Sequence, residues 1–186
     1  NELIQKFIVK VHVTAALLRA KAKGYPVPAT MLNRALAYVK DVESHYPHYY
    51  PDEVRRTISA YALYVRKLAG DVDVSKATGL LKRAGGPKGM SMEGNGWLLG
   101  TLAKQGGAAN ERKELLRYLM NNVSETAGAA NFTNRYTDGA HLLLGSDRRV
   151  DGVILEALIA ESPAASDTGN DLIPKLVTGL LAHKKR

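Results

Sequence analysis

The chain has no cysteine, which excludes disulfide frameworks, thiolate metal sites and a cysteine nucleophile within these residues. It has no apolar run near the roughly 18 residues that a membrane span needs. Its start, Asn1-Glu2-Leu3-Ile4-Gln5-Lys6, lacks the charged-then-apolar layout of a signal peptide. Of its five histidines, His12, His45, His48, His141 and His183, none forms an H-E-x-x-H pair. Only His45 and His48 stand three apart, in a connector that offers no third ligand. A G-x-S-x-G elbow and an S-x-x-K pair are missing. Gly85-Gly86-Pro87-Lys88-Gly89 lacks the Walker spacing and a Ser or Thr after Lys, so it reads as a helix stop and surface turn. No cofactor and no metal are predicted.

What is present is 186 residues, 45% hydrophobic, with a mean hydropathy of −0.20, enough for one soluble helical domain spanning residues 1–186. A net charge of +8 raises nucleic acid or an anionic surface as a partner. Lys and Arg are dispersed, however, mostly singly or in pairs such as Arg55-Arg56, Lys82-Arg83 and Arg148-Arg149, with one run of three, Lys184-Lys185-Arg186. That is the pattern of a solvated surface, and no nucleic acid is expected. Both ends read as cut: Leu3 to Lys21 begins in full helical periodicity without a Met, and Leu172 to Arg186 stops in a basic tail. The expectation is an excised piece of a longer protein.

Helical patterning covers most of the chain. Leu3, Phe7, Val11, Ala15 and Leu18 trace one face of a first helix. It stops at Gly24, with Pro26 and Pro28 beyond. A second helix carries Met31, Leu32, Leu36, Val39 and Val42. A connector, His45-Tyr46-Pro47-His48-Tyr49-Tyr50-Pro51, leads to a third, with Val54, Ile58, Tyr61, Ala62, Val65 and Leu68, ending at Gly70. Ser75 is placed to cap a short helix through Leu80 and Leu81. Ser91 caps one through Trp97, Leu98 and Leu102 that stops at Gly106-Gly107, and Asn110 caps another through Leu115 and Leu119. Between residues 127 and 150 the period changes: Asn131 to Tyr136 and His141 to Leu144 flank Thr137-Asp138-Gly139-Ala140, which predicts one small β-hairpin. Asp151 opens a helix through Ile154 and Leu158, and a last one runs from about Leu172 to His183. The result is an all-α chain of about eight paired helices. A helical solenoid, a closed α/α toroid and an irregular bundle all fit it.

Carboxylates that could serve as an acid and base pair are Asp138, Asp147, Asp151 and Glu156. Each has a plainer reading: a turn residue, a partner for Arg148 and Arg149, a helix cap, and a neighbour of the apolar stripe. Tyr61, Tyr64 and Trp97 fall at core spacing and read as packing residues. Tyr46, Tyr49 and Tyr50 remain as a candidate exposed interaction surface.

The segments Arg135-Tyr136-Thr137-Asp138, Ser146 to Leu158, Asp171 to Val177 and Gly179 to His183 resemble, in order and spacing, the thioester-type domain of bacterial alpha-2-macroglobulins. Gly24 to Pro28, Ala60 to Val65 and Gly96 to Leu99 resemble the same family's helical segments. The resemblance implies a partial α/α toroid, a fragment of a larger domain in a very large periplasmic or extracellular cell-envelope protein that traps proteases. Its partners would then be other domains of the same polypeptide and the target proteases, in a parent that a membrane anchor would suit. The chain departs from the pattern in having no Cys-x-Glu-Gln, so no thioester and no enzymatic activity of its own are expected. His141 lies where related complement domains hold a histidine that assists acyl transfer, and is the one weak catalytic candidate. The readings from other classes are a toroidal enzyme of glycosidase or cyclase type and a helical scaffold binding a protein partner.

Overall fold

The computed structural model of the chain describes residues 6–133, 139–161 and 171–182. Among them are nine helices and one two-stranded antiparallel hairpin. The helices are α1 (Lys6–Ala22), α2 (Ala29–Lys40), α3 (Asp52–Leu68), α4 (Val74–Arg83), α5 (Met92–Leu102), α6 (Ala109–Asn122), α7 (Ala140–Leu143), α8 (Asp147–Glu161) and α9 (Leu172–Ala182). Strand β1 (Ser124–Glu125) pairs with β2 (Ala130–Asn131), with Ser124 opposite Asn131.

The boundaries follow local chemistry. Beyond α1, Gly24 takes a φ of +84°, a conformation other residues adopt only with strain, and Pro26 and Pro28 forbid continuation. In α3, Asp52 and Glu53 fill the first turn and Arg66 and Lys67 the last, which matches charge to both ends of the helix dipole. Ser91 caps α5 as expected, its Oγ accepting the Gly94 N–H at 3.0 Å.

Four expected boundaries move. Asp73, not Ser75, caps α4, accepting the Lys76 N–H at 2.9 Å; its carboxylate reaches the first-turn amide and frees the helix to start at Val74. The helix α5 ends at Leu102, well before Gly106-Gly107, because Lys104 turns to a φ of +60°. Ala108 stands at the start of α6 without a side-chain cap, so Asn110 lies inside the helix. And α8 begins at Asp147, one turn ahead of Asp151, because Val150 and Asp151 are both buried and need helical spacing to be so.

Two rows of helices result. In one, α3 lies between α1 and α5, and α5 between α3 and α8. In the other, α2 bridges α1 and α3, α4 bridges α3 and α5, and α6 and α9 lie on α5 and α8. Burial is deepest in the middle of the first row: in α5 every residue from Glu93 to Leu102 is buried, whereas α1 and α8 at its ends bury one face each, α2 buries only Leu32 and Val39 and α6 only Leu115 and Leu119. A helix apolar all round belongs inside, and a one-sided helix outside. Each fully buried leucine of α5, such as Leu98 or Leu99, contributes about 2 kcal/mol. Gly96 and Gly100 let α5 approach closely: a Cβ at Gly96 would stand 2.9 Å from Val153 of α8, and one at Gly100 would stand 3.0 Å from the Tyr64 ring of α3. No helix of the described residues is long and apolar enough to cross a membrane.

The hairpin is real but misplaced in the sequence reading. It joins Ser124–Glu125 to Ala130–Asn131, and of His141 to Leu144, expected as its second strand, His141 to Leu143 belong to α7. Leu142 and Leu143 are both buried. Adjacent strand residues face opposite ways, whereas the turn closed by the Leu142 N–H on the Gly139 carbonyl, 2.9 Å, sends both inward. The expected turn residues Thr137 and Asp138, and the run Asn134 to Tyr136, lie outside the described residues.

Candidate functional site

Charged and aromatic side chains from α1, α3, α5 and α8 converge on Tyr61. Its hydroxyl bonds His12 Nδ1 at 2.8 Å, and its ring stacks on Trp97 with centroids 4.1 Å apart and planes 9° from parallel. Burial pushes its pKa up to about 12, and the charges acting on it come from Arg149, Arg19, Glu156 and Glu93. The sequence reading of Tyr61 and Trp97 as core residues agrees with this stack; the charges around it are what spacing does not show.

Each carboxylate here is held by a guanidinium. Arg19 Nη2 donates to Glu156 Oε1 and Oε2 at 2.9 and 2.8 Å, joining α1 to α8. Arg149 Nε and Nη2 donate to Glu93 Oε1 and Oε2 at 2.6 and 2.9 Å, and Nη2 also reaches the Leu143 carbonyl at 2.8 Å. Glu93 is fully buried, so without Arg149 its charge would be very costly. Tyr64 hydrogen-bonds Glu156, and burial first, then that negative charge, raises its pKa. Phenols held neutral and carboxylates held by arginine make an arrangement that ties α1, α3, α5 and α8 to one another.

The sequence-predicted residues are scattered. Of the tyrosine trio only Tyr49 is exposed, at 56%. Tyr50 is buried, its ring edge-on to Phe7 at 5.6 Å. Tyr46 is half-buried, its hydroxyl 2.9 Å from Ser59 Oγ; burial raises its pKa. The trio is therefore not one exposed surface: Pro47 and Pro51 turn the connector so that Tyr46 and Tyr50 face α1. His141 is exposed on the helical turn α7 and not on a hairpin. Asp151 is neither a cap nor a free acid; it is buried inside α8 and accepts the Phe132 N–H at 2.6 Å. Asp147 sits in the first turn of α8, and Asp138 lies outside the described residues.

A separate cavity of about 600 Å³ opens at the start of α5, where Arg56, Lys88 and Glu53 face Ser91, Tyr118 and Ser124. No group of three His, Cys, Asp or Glu side chains among the described residues could hold a metal ion.

Sequence reasoning missed both arginine–carboxylate pairs, which join residues 137 and 56 apart in the chain. One signal was available for the second: Glu93 lies in Met92-Glu93-Gly94-Asn95-Gly96-Trp97-Leu98-Leu99, and a charge within a helix otherwise fit only for burial requires a partner.

Fold and site define a helical protein of two packed rows joined by arginine–carboxylate pairs, one solvent-exposed, Arg19 with Glu156, and one with a buried carboxylate, Arg149 with Glu93. Comparison with protein-family models, curated proteins and solved structures finds no match.

Proposed function

We propose that this chain is a non-catalytic module of a bacterial alpha-2-macroglobulin-like protease inhibitor, part of an α/α toroid that works by packing against other domains of the same cell-envelope polypeptide. The observation that carries the reading is that the convergent charged groups are all engaged with one another, Arg19 with Glu156 and Arg149 with Glu93, so the site stiffens the helix rows. The two rows of packed helices support this reading. Of the segments that resemble the family, Ala60 to Val65, Gly96 to Leu99, Ser146 to Leu158 and Asp171 to Val177 fall on α3, α5, α8 and α9, Gly24 to Pro28 forms the turn between α1 and α2, and Arg135 to Asp138 lies outside the described residues. In this reading the polypeptide is periplasmic or extracellular and its partners are target proteases and neighbouring domains. His141, exposed on α7, would be the residue to examine should a thioester lie elsewhere in the polypeptide.

The test uses the natural polypeptide that carries this chain, mixed in excess with a protease. Entrapment lowers cleavage of a large protein substrate while hydrolysis of a small chromogenic peptide continues. Equal loss of both activities, or loss of neither, would sink the reading.

A further inference from the structure

We infer that the free edge of α1 is a docking surface for one more helix, an amphipathic helix whose apolar stripe is flanked by Asp and Glu. The inference rests on the packing role proposed above and narrows it to one surface and one partner chemistry.

The helix α1 is apolar on two sides. Phe7, Ile8, Val11 and Ala15 are buried, in the face that meets α2 and α3. On the opposite side Val9, Val13, Ala16, Leu17 and Ala20 follow at spacings of four, three, one and three, which is a single helical stripe. Val9 is 41% exposed and Val13 51%. In its row α3 has a helix on each side and so does α5, whereas α1 packs on α3 and α2, among the described residues, and reaches α8 through Arg19. The stripe therefore lies on the face of α1 that α2 and α3 leave uncovered.

Charge selects the occupant. Lys6 and Lys21 border the stripe on one side and Lys23 on the other, while Lys10 lies over the Tyr38 ring and Arg19 is held by Glu156 of α8; α1 itself contains no acidic residue. Flanking charges of this kind set partner choice between helices laid side by side. A second copy offering its own α1 would bring like charge against like. A lipid surface fits less well: the stripe is valine, alanine and leucine without an aromatic anchor, and the small Ala16 and Ala20 admit a close neighbouring backbone.

The test measures fluorescence anisotropy of a synthetic peptide of about three heptads, with leucine at the a and d positions and glutamate at e and g, titrated with the full chain. A lysine-flanked version of the peptide, anionic phospholipid vesicles and sedimentation of the chain alone accompany it. Saturable binding of the acidic peptide is expected, at least about tenfold tighter than that of the basic one, and weakened about tenfold by Val13→Glu. Val177→Glu, at an exposed site on α9, should leave it unchanged. Circular dichroism checks that both variants keep their helix content. The inference is overturned by no binding, by equal binding of both peptides, by insensitivity to Val13→Glu, by preferential binding to vesicles, or by self-association that Val13→Glu abolishes. Protease entrapment by the natural polypeptide with no peptide binding defeats this inference alone, and peptide binding without entrapment defeats the trap reading alone.

Discussion

Arg66 shows how one buried cation joins two helices. Its Nε donates to Asp71 Oδ2 at 2.9 Å and its Nη2 to Asp73 Oδ2 at 3.2 Å, so the end of α3 is tied to the start of α4. The hydrogen bond from Arg66 holds the Asp71 carboxyl below the ordinary aspartate range. A depressed carboxyl pKa contributes stability above its unfolded-state value, about 4, and that contribution is lost as pH falls through the depressed value. Asp71→Asn should therefore melt below the parent near neutral pH and converge with it in acid, which thermal melts at a series of pH values will measure. A gap that persists unchanged in strong acid would mean that Asp71 acts through something other than its charge. Asp151 makes the complementary case in the core. Replacing it by Ala strands the buried Phe132 N–H, and urea unfolding should show a loss of about 1 to 3 kcal/mol. Asp151→Asn, which keeps an acceptor, should lose less.

At the scale of elements, apolar spacing and punctuation located α1, α2, α3 and α5, because each has a helical period longer than two turns and a Gly, Pro or Ser at its boundary. The short stretch from residue 124 to 144 did not yield to the same reasoning. Asp138-Gly139 carries a strong hairpin signal, yet Gly139 is where α7 begins to turn, its absent side chain leaving room for Val54: a Cβ there would stand 2.1 Å from Val54 Cγ2. Tertiary approach decided the local structure, and no sequence window records it. The same applies to Gly179 of α9, where a Cβ would meet the Ala130 carbonyl oxygen at 2.4 Å. Gly179→Ala must push α9 off β2. The cost of such overpacking, about 1 to 3 kcal/mol, should exceed the helix-propensity gain of roughly 1 kcal/mol. Hydrogen exchange should quicken in α9 while α3 and α5 keep their protection; uniform loss across all three would show that α9 is not a separable docking element.

For the whole molecule, the all-helical character was legible, since hydrophobic periodicity is a local property. The candidate site was not. Its ion pairs span α1 to α8 and α5 to α8, and nothing in the neighbourhood of Arg19 or Glu156 announces a partner 137 residues away. Tyr46, Tyr49 and Tyr50 misled for the same reason: aromatics close together on one connector look alike until the chain shows which of them turn inward. What the assembled molecule presents is an exposed apolar stripe on α1 and arginine–carboxylate pairs that join α1 to α8 and α5 to α8.

The measurement that tests this most directly is the entrapment ratio of the natural polypeptide, large-substrate against small-substrate cleavage by bound protease, compared between two variants of this chain. Val13→Glu, which spoils the exposed stripe of α1, should lower entrapment several-fold, while Asp147→Asn, which removes a carboxylate from the first turn of α8, should leave it at the parent value. Entrapment lost with Asp147→Asn and kept with Val13→Glu would contradict the account and point to chemistry at a carboxylate.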